Sequence, residues 1–306
     1  MKFTLVIPFF NRSAYLPRTL NSLLSSTLLP TAIILVDNGS TDNSLDICEQ
    51  FQIEHPDLCI NILHEKRPGV CYARNLALHL VETKWIYFFD SDDILSPDYF
   101  LEVSHFIDSH PDTDVVASPT CMILEDGTKK NRKVQFSDSP IDQILSGQLS
   151  TQSMFFRTSF LRDIGGWDTN LKKWNDWELG LRVLLQKPRI YWLHKYFHFI
   201  YQHSDSLTGV GFSATFKQIL IAIQIVANQI QNQPKLKTAL AFRSVFLAAH
   251  LTREKQPLQV VKILKFIKND LSPTSFQTFF LHMIYRYILL GGRGSWYISK
   301  FFIKIL

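Results

Sequence analysis

Short apolar stretches alternate with segments of helical periodicity along the first third of the chain. Strands separated by helices are typical of βαβ units, so this pattern predicts an α/β fold with a mainly parallel sheet. The last of these helices is predicted to begin at the Ser96-Pro97 pair. The predicted strands are residues 3–9, 32–36, 59–63 and 85–89, and the predicted helices are residues 14–25, 40–51, 70–81 and 96–108.

The pattern becomes less regular after residue 110 and wholly helical from Phe212 onward. The predicted strands here are residues 115–124, 152–157, 189–193 and 196–201, the predicted helices are residues 158–164 and 176–185, and residues 129–137 form a polar irregular segment. We therefore expect an α/β domain over residues 1–210 and an all-helical extension over residues 211–306, with a boundary near Gly209 to Phe212.

Composition excludes several classes of protein. The 306 residues are 46% hydrophobic and 19% charged, which is ordinary for a globular protein with a full core. Pro8 interrupts the N-terminal apolar run, which predicts a first strand rather than a signal peptide. No window offers about 18 mainly apolar residues free of charge and of repeated amides, and four cysteines without CxxC spacing are expected to be reduced. These features predict a cytoplasmic protein without a transmembrane span.

Positive charge is concentrated at the C-terminal end. From Thr215 to Leu306, 13 Lys and Arg residues stand against Glu254 and Asp270, a net charge of +11, and the rest of the chain carries −6. Such asymmetry favours an anionic partner. Two interpretations stay open: a helical bundle with its lysines in water, or peripheral attachment to an anionic membrane at its cytoplasmic face. A nucleic acid partner is not expected, because no base-reading motif is present.

Two predicted strands end in acidic residues. Asp90, Asp92 and Asp93 directly follow residues 85–89, and clustered carboxylates are costly to bury unless a cation lies among them. Oxygen ligands at such a point suit Mg²⁺ or Mn²⁺, which usually holds a phosphate. Asp37 ends the second strand in the same way. Two such ends predict a nucleotide site at the carboxyl edge of the sheet.

Five segments occur in an order that identifies a family. They are Pro8-Phe9-Phe10-Asn11-Arg12, Val36-Asp37-Asn38-Gly39-Ser40-Thr41-Asp42, Gly69-Val70-Cys71-Tyr72-Ala73-Arg74-Asn75, Asp90-Ser91-Asp92-Asp93 and Trp174-Asn175-Asp176-Trp177-Glu178-Leu179-Gly180-Leu181-Arg182. Together they resemble the family 2 inverting glycosyltransferases with the GT-A fold, over residues 1 to 205. The resemblance implies that residues 1–125 bind a nucleotide-diphosphate sugar, commonly a UDP-sugar, and that residues 126–210 bind the acceptor.

The resemblance also implies a set of donor-binding residues. Asp37 is expected to contact the base, although it could instead cap the next helix. Arg74 is expected to face the nucleotide-sugar, although a structural ion pair is the alternative. The donor-binding residues predicted in this way are Pro8, Asn11, Asp37, Asn38, Arg67, Arg74, Asp90 and Ser91.

The predicted metal is Mn²⁺ or Mg²⁺. By resemblance, Asp92 binds the cation that bridges the diphosphate, while Asp93 could cap the following loop. His203 is the second predicted ligand, because related enzymes often place a His here and neutral imidazole is a plausible metal ligand. The alternative for His203 is an ordinary surface residue.

Asp176 is the predicted general base, because an inverting transferase needs a carboxylate to take the acceptor hydroxyl proton. The family usually has Glu-Asp here, whereas this chain has Asn175 before Asp176. Glu178 is the fallback base, and Arg182 is expected to form an ion pair within the helix. The predicted acceptor-binding residues are Trp167, Trp174 and Trp177, with core packing as the alternative for the last two.

The predicted function is metal-dependent, inverting transfer of a sugar to an acceptor hydroxyl in cell-surface glycan or glycolipid synthesis. The acceptor would be a glycan, a lipid-linked molecule or a protein. A nucleotidyltransferase is one alternative, but the segment after the first strand lacks the glycine-rich phosphate loop. A non-catalytic nucleotide-sugar-binding scaffold is the other, for which Asn175 is the only hint and against which Asp176 argues.

Overall fold

A computed structural model describes residues 1–203 and 211–306 of the chain. The predicted domain boundary near Gly209 to Phe212 lies partly outside the described residues, and the domain limits stay predictions. The described residues form two compact units. The first comprises Met1–Phe136, Leu149–Lys172 and residues 186–203, and the second comprises Ser137–Gln148, Lys173–Leu185 and residues from 211 onward.

The described part of the chain contains strands throughout the first unit and helices in both. The strands are β1 (Phe3–Phe9), β2 (Ala32–Asp37), β3 (Ile60–His64), β4 (Trp85–Phe88), β5 (Ile94–Leu95), β6 (Val115–Ala117), β7 (Thr120–Ile123), β8 (Lys129–Asn131), β9 (Met154–Arg157), β10 (Ile190–Trp192) and β11 (His198–Tyr201). The helices are α1 (Leu16–Leu24), α2 (Ser44–Glu54), α3 (Val70–Leu80), α4 (Tyr99–Ser109), α5 (Pro140–Ser146), α6 (Thr158–Asp163), α7 (Asn175–Leu185), α8 (Phe216–Gln229), α9 (Pro234–Arg253), α10 (Pro257–Phe266), α11 (Ser275–Leu289) and α12 (Ser295–Ile305).

A seven-stranded sheet in the order β10-β6-β9-β4-β1-β2-β3 forms the centre of the first unit. Strands β1 to β4 are mutually parallel where they pair, and only β9 runs antiparallel to its neighbours. Every residue of β1 and β4 is buried, as expected for strands covered on both faces. The predicted α/β class with a mainly parallel sheet is therefore confirmed.

Aromatic side chains fill the core against this sheet. The ring of Phe3 lies 4.7 Å from that of Phe100 and 5.5 Å from that of Phe155, measured between centroids. The Tyr87 ring stacks on Phe155 at 5.5 Å. Large buried rings contribute much of the hydrophobic stabilisation of a domain, so this cluster fixes the strands whose ends carry the candidate site.

Three details of the predicted secondary structure are wrong. Residues 115–124, predicted as one strand, are two strands in different sheets, because Pro119 cannot donate to a ladder and separates β6 from β7. The four-stranded sheet β5-β11-β7-β8 also takes β8 from the segment predicted to be irregular. Helix α4 begins at Tyr99 rather than at the Ser96-Pro97 pair, since Asp98 is its N-cap residue.

All regular secondary structure in the described residues of the second unit is helical, and it includes α5 and α7 to α12. Helix α9 spans 20 residues, and most of its side chains are buried. Within residues 1–203 and 211–306, we find no helix with the length and apolarity that crossing a bilayer requires.

The four cysteines are free thiols, as predicted. Cys48, Cys71 and Cys121 are buried, and only Cys59 is exposed. Burial raises the pKa of Cys48 to about 12. The buried thiols therefore act as small apolar core residues.

Candidate active site

The loop after β2 is organised around Asp37, which is buried at the carboxyl end of the strand. Its Oδ1 accepts a hydrogen bond from the backbone N–H of Ser40 at 2.9 Å. Its Oδ2 lies 3.7 Å from Nδ1 of His64 on the neighbouring strand. Helix α2 has Asn43 as its N-cap residue, so the alternative in which Asp37 caps that helix is wrong.

Asn11 and Asn38 hold this loop against its neighbours. The Asn11 side-chain oxygen accepts the backbone N–H of Thr41 at 2.8 Å. The Asn38 amide donates to the carbonyl oxygens of Glu65 and Arg67, and its oxygen accepts the N–H of Gly69 at 2.8 Å. Both predicted donor-binding residues therefore also set the shape of the predicted pocket.

Arg67 and Pro8 have structural contacts of their own. The Arg67 guanidinium makes two hydrogen bonds to the buried Glu65 carboxylate, at 2.9 and 2.6 Å, and these hydrogen bonds lower the Glu65 pKa. The Arg67 side chain is 64% exposed, so it remains accessible. Pro8 is buried within β1 beside Val36 of β2. The donor-binding roles of Pro8 and Arg67 stay predictions.

Asp90 follows β4 and is held from two sides. Arg74, a buried residue of α3, donates from Nη2 to Asp90 Oδ1 at 2.8 Å. The Gln152 amide donates to Asp90 Oδ2. The ion pair proposed as the alternative role of Arg74 therefore exists, and it lies within the candidate site. Ser91, the next residue, is buried.

Asp92 meets three basic side chains. Its Oδ2 lies 3.1 Å from Nε2 of His203 and 3.3 Å from Nε of Arg12. Its carbonyl oxygen accepts a hydrogen bond from Arg18 at 2.6 Å. The His203 ring stacks on Tyr15 with 4.1 Å between centroids, which orients the imidazole. The structure thus brings together the two predicted metal ligands, from positions 92 and 203.

Asp93 is a structural residue beneath the site. Its carboxylate accepts hydrogen bonds from the Gln152 amide at 2.7 Å and from the backbone N–H of Tyr201 at 3.1 Å. Burial, together with the Asp92 and Asp90 charges, raises the Asp93 pKa well above its usual range. Asp93 therefore joins the acidic loop to β11 rather than facing solvent.

Gln152 is a residue that the sequence patterns did not identify. It is buried, and its single amide nitrogen donates to both Asp90 and Asp93. Its backbone carbonyl accepts the hydroxyl of Tyr87, which also contacts Nδ1 of the buried His198. Only the pairing of β9 beside β4 brings position 152 to this point, so no local signal in the sequence could reveal it.

Replacing Gln152 with Leu is expected to weaken donor binding and to lower kcat/KM at least about tenfold, because hydrogen bonds to charged groups contribute about 1.5–3 kcal/mol each. Titration calorimetry with the donor and steady-state kinetics measure the two effects. Gln148→Leu is the matched control, since Gln148 is also buried and donates to a backbone carbonyl, that of Ser137. An equal loss in both variants would show that Gln152 acts only through stability.

His198 predicts a pH dependence of stability. Burial lowers the His198 pKa to about 3, so between that pH and about 6.5 the unfolded chain binds a proton that the folded chain does not. Stability is therefore expected to fall as pH decreases, by up to about 1.4 kcal/mol per pH unit from this group. Urea unfolding at several pH values measures the slope. His198→Gln should flatten it, and His79→Gln, at an exposed position, should not.

Trp167 lies in the core of the first unit. Its ring packs edge-on against Phe88, with 4.4 Å between ring centroids. The Asn75 side-chain NH₂ donates to the Trp167 carbonyl, and the Asn75 side-chain oxygen accepts the Trp167 N–H. Gly166 precedes it with φ of 62°, and a Cβ there would lie 2.5 Å from the Asn75 oxygen. These contacts are those of a buried structural residue, and an acceptor role for Trp167 stays a prediction.

Asp176 lies in the first turn of α7, in the second unit, and is partly exposed. Its Oδ1 accepts the backbone N–H of Trp177 at 2.8 Å. Burial lowers the pKa of nearby Lys173, and the Asp176 charge opposes that shift. The first turn of a helix is an electrostatically favourable place for a carboxylate.

The neighbours of Asp176 on α7 are mostly engaged in structure. Trp177 is buried, and its indole N–H donates to the backbone carbonyl of Gln143. The Arg243 guanidinium lies over the Trp174 ring, 4.7 Å from its centroid. Glu178 is fully buried and binds Arg182 and Gln229, which argues against the fallback base. The predicted ion pair between Arg182 and this helix is confirmed. Acceptor roles for Trp174 and Trp177 stay predictions.

Comparison with solved structures identifies the fold. The protein superposes on the structure of S. aureus TarS 1-349 in complex with UDP-GlcNAc with a TM-score of 0.70 and 21% identity. The superposition covers 98% of this chain and 89% of the TarS chain. It also resembles the mannosyltransferase PcManGT from Pyrobaculum calidifontis in complex with GDP-Man and Mn²⁺, with a TM-score of 0.59, 13% identity and coverage of 97% and 85%. The predicted GT-A fold is therefore confirmed.

Sequence comparison identifies the family. A PGL/p-HBAD biosynthesis glycosyltransferase of Mycobacterium tuberculosis is 25% identical over 255 residues, which cover 79% of this chain and 95% of the relative. The minor teichoic acid biosynthesis protein GgaB of Bacillus subtilis is 30% identical over 199 residues, 61% of this chain and 21% of GgaB. The model of Glycosyl transferase family 2 matches residues 4–165, more than half of the chain. The protein therefore belongs to glycosyltransferase family 2 and is a glycosyltransferase.

Proposed function

We propose that this enzyme transfers a sugar, with inversion at the anomeric carbon, from a nucleotide-diphosphate sugar to an acceptor hydroxyl in cell-surface glycan or glycolipid synthesis. The observation that carries the proposal is the 3.1 Å approach of Asp92 and His203 beside the Asp37 loop. Relatives named for PGL/p-HBAD and teichoic acid biosynthesis support the glycan class. The family assignment argues against a nucleotidyltransferase.

The donor would lie across the carboxyl ends of β1, β2 and β4. Asp37 and Asn38 would contact the base, and Asp90, fixed by Arg74, would contact the ribose or the donor sugar. UDP is the preferred nucleotide, because TarS was solved with UDP-GlcNAc and with UDP. GDP-sugars are also candidate donors, because PcManGT was solved in complex with GDP-Man.

The metal-ligating atoms that Asp92 and His203 offer fit a divalent cation such as Mn²⁺ or Mg²⁺. A carboxylate oxygen and an imidazole nitrogen both suit Mn²⁺, and such ions in nucleotide sites take their other ligands from substrate phosphates and water. Among the described residues, no group of three or more His, Cys, Asp or Glu side chains could hold a metal alone. Asp92 and His203 would hold the ion, which when bound would offset charge on the leaving diphosphate.

The chemistry needs one proton acceptor. As the acceptor oxygen bonds to the anomeric carbon, its proton would pass to the Asp176 carboxylate, and the bond from that carbon to the diphosphate oxygen would break. The nucleoside diphosphate leaves from the opposite face, so configuration is inverted. The Asp176 side chain is partly exposed, so an acceptor hydroxyl could reach it.

A donor screen tests the proposal. Titration calorimetry with UDP-, GDP- and dTDP-sugars, with and without Mn²⁺, is expected to show Mn²⁺-dependent binding of one nucleotide class. Asp92→Ala should weaken that binding at least about tenfold, since it removes a first ligand of the ion. Asp108→Ala, at an exposed position on α4, is the matched acidic control and should bind as the wild type does.

Two results would contradict the proposal in different ways. Absence of binding to every nucleotide-sugar in the presence of Mn²⁺ would remove the donor site. Mn²⁺-dependent binding without transfer or donor hydrolysis would favour the nucleotide-sugar-binding scaffold instead. A cytoplasmic location is kept as part of the proposal, because nucleotide-sugar use and free thiols both suit it.

A further inference from the structure

Helix α11 is apolar on two opposite sides. Its inner side contributes Leu281, Ile284 and Ile288 to the packing of the second unit. Its other side carries a second series of large apolar residues, all more than a third exposed. This outer stripe consists of Phe276, Phe279, Met283, Tyr287 and Leu290.

The outer stripe is continuous along the helix. Its members are spaced by three, four, four and three residues, which places them on one face of an α-helix. A helix of a globular protein ordinarily presents polar residues to water opposite its buried side. The inner side supplies packing to the second unit, and within the outer stripe the Tyr287 hydroxyl donates a hydrogen bond to the backbone carbonyl of Arg293. Exposed apolar surfaces of this kind mark interaction sites.

The neighbouring helices add exposed apolar and basic residues. On α12, Tyr297, Phe301 and Ile305 are exposed at spacings of four. On α10, Leu258, Val261 and Leu264 are exposed beside Lys262 and Lys265, and the exposed Lys268 follows the end of that helix. From Pro257 to Leu306, seven Lys or Arg residues stand against Asp270 alone, a net charge of +6.

We propose that α10, α11 and α12 attach the enzyme to an anionic membrane, with the outer stripe inserted at the interface and the lysines of α10 facing lipid headgroups. Aromatic and aliphatic residues on a basic helix are the combination that binds in the plane of a membrane. The helices of the described residues are not suited to spanning, so attachment is peripheral. The inference goes beyond the proposed sugar transfer and does not depend on it.

Charge decides between a membrane and a second copy of the chain as the occupant. Joining two outer stripes would bring together two copies of the segment from Pro257 to Leu306, each with a formal net charge of +6, and like charges near an interface oppose association. An anionic lipid surface attracts the same charges, by about 1 kcal/mol for each Lys or Arg that approaches it. The lysines therefore favour the membrane.

Flotation of the full chain with vesicles tests this inference. We expect binding to vesicles that contain about one third phosphatidylglycerol, weakened by salt, and little binding to phosphatidylcholine alone. Phe279→Ser/Met283→Ser should reduce the partition coefficient at least about tenfold. The triple change Lys262→Gln/Lys265→Gln/Lys268→Gln should reduce it on the order of a hundredfold.

The matched control replaces two exposed apolar residues of the first unit, in the variant Leu29→Ser/Ile53→Ser, which should bind as the wild type does. Circular dichroism and the thermal midpoint show that each variant is folded, and donor calorimetry separates loss of attachment from loss of the donor site. No vesicle binding by folded wild-type protein, or binding unchanged in the stripe and lysine variants, would overturn the proposal. So would a dimer in light scattering that Phe279→Ser/Met283→Ser converts to monomer.

Discussion

Replacement of Asp176 by Asn is expected to reduce turnover by about 10²–10⁴-fold, the contribution of a positioned general base, while donor affinity stays unchanged. The amide has the same shape as the carboxylate but cannot accept the hydroxyl proton. Its oxygen can still accept the Trp177 N–H, so the first turn of α7 should keep its conformation. Steady-state kinetics with an acceptor, or donor hydrolysis in its absence, measures turnover.

Asp46→Asn is the matched control, because Asp46 is the acidic residue in the first turn of α2. Both variants lose the same favourable interaction with a helix N-terminus, so a difference between them isolates proton transfer. Unchanged turnover in Asp176→Asn would remove Asp176 from the mechanism. Glu178→Gln could not supply the missing test, since Glu178 is buried in bonds to Arg182 and Gln229 and its loss would disturb packing.

The sequence predicted the central strands well because of how they are buried. Strands β1 and β4 are covered on both faces, so their residues form uninterrupted apolar runs that end in turn or acidic residues. The same signal failed over residues 115–124. That run is mostly apolar, yet it passes from one sheet to another at Pro119, and the pattern of apolar residues does not show to which sheet each part belongs.

Residues of the candidate site could be predicted where they belong to a sequence motif. The acidic loop after β4 marked Asp92, and the structure places His203 next to it as the resemblance implied. The two roles weighed for Arg74 turned out not to exclude each other, because its ion-pair partner is Asp90 itself. The role of Gln152 could not be predicted from the sequence, because its contacts with Asp90 and Asp93 depend on the pairing of β9 with β4. No pattern near position 152 indicates them.

Helix α5, in the second unit, is another element that local sequence patterns could not predict. It has only seven residues, too few for a periodic pattern, and its buried Asp142 reads in the sequence as a solvated charge. The structure gives that carboxylate a partner 158 positions away, Lys300 of α12, at 2.7 Å. Contacts of this separation follow only from the tertiary arrangement.

Lys300→Met is expected to lower the free energy of unfolding by about 3 kcal/mol, because it leaves Asp142 as a buried charge without its partner. The value lies at the lower end of the usual range since the Lys300 side chain is 29% exposed while that of Asp142 is fully buried. Asp142 Oδ1 has no hydrogen-bond partner in the described residues, which leaves little else to stabilise the charge. Urea unfolding followed by circular dichroism measures the change.

The double variant Asp142→Leu/Lys300→Met should recover most of the loss, because apolar replacement of a buried ion pair is often neutral. Lys304→Met, at an exposed position on the same helix, is the control and should change stability by less than about 0.5 kcal/mol. A loss in Lys300→Met no larger than in this control would mean that the carboxylate is solvated in solution. Recovery in the double variant would instead assign the cost to the unpaired charge, and so to the junction of α5 with α12.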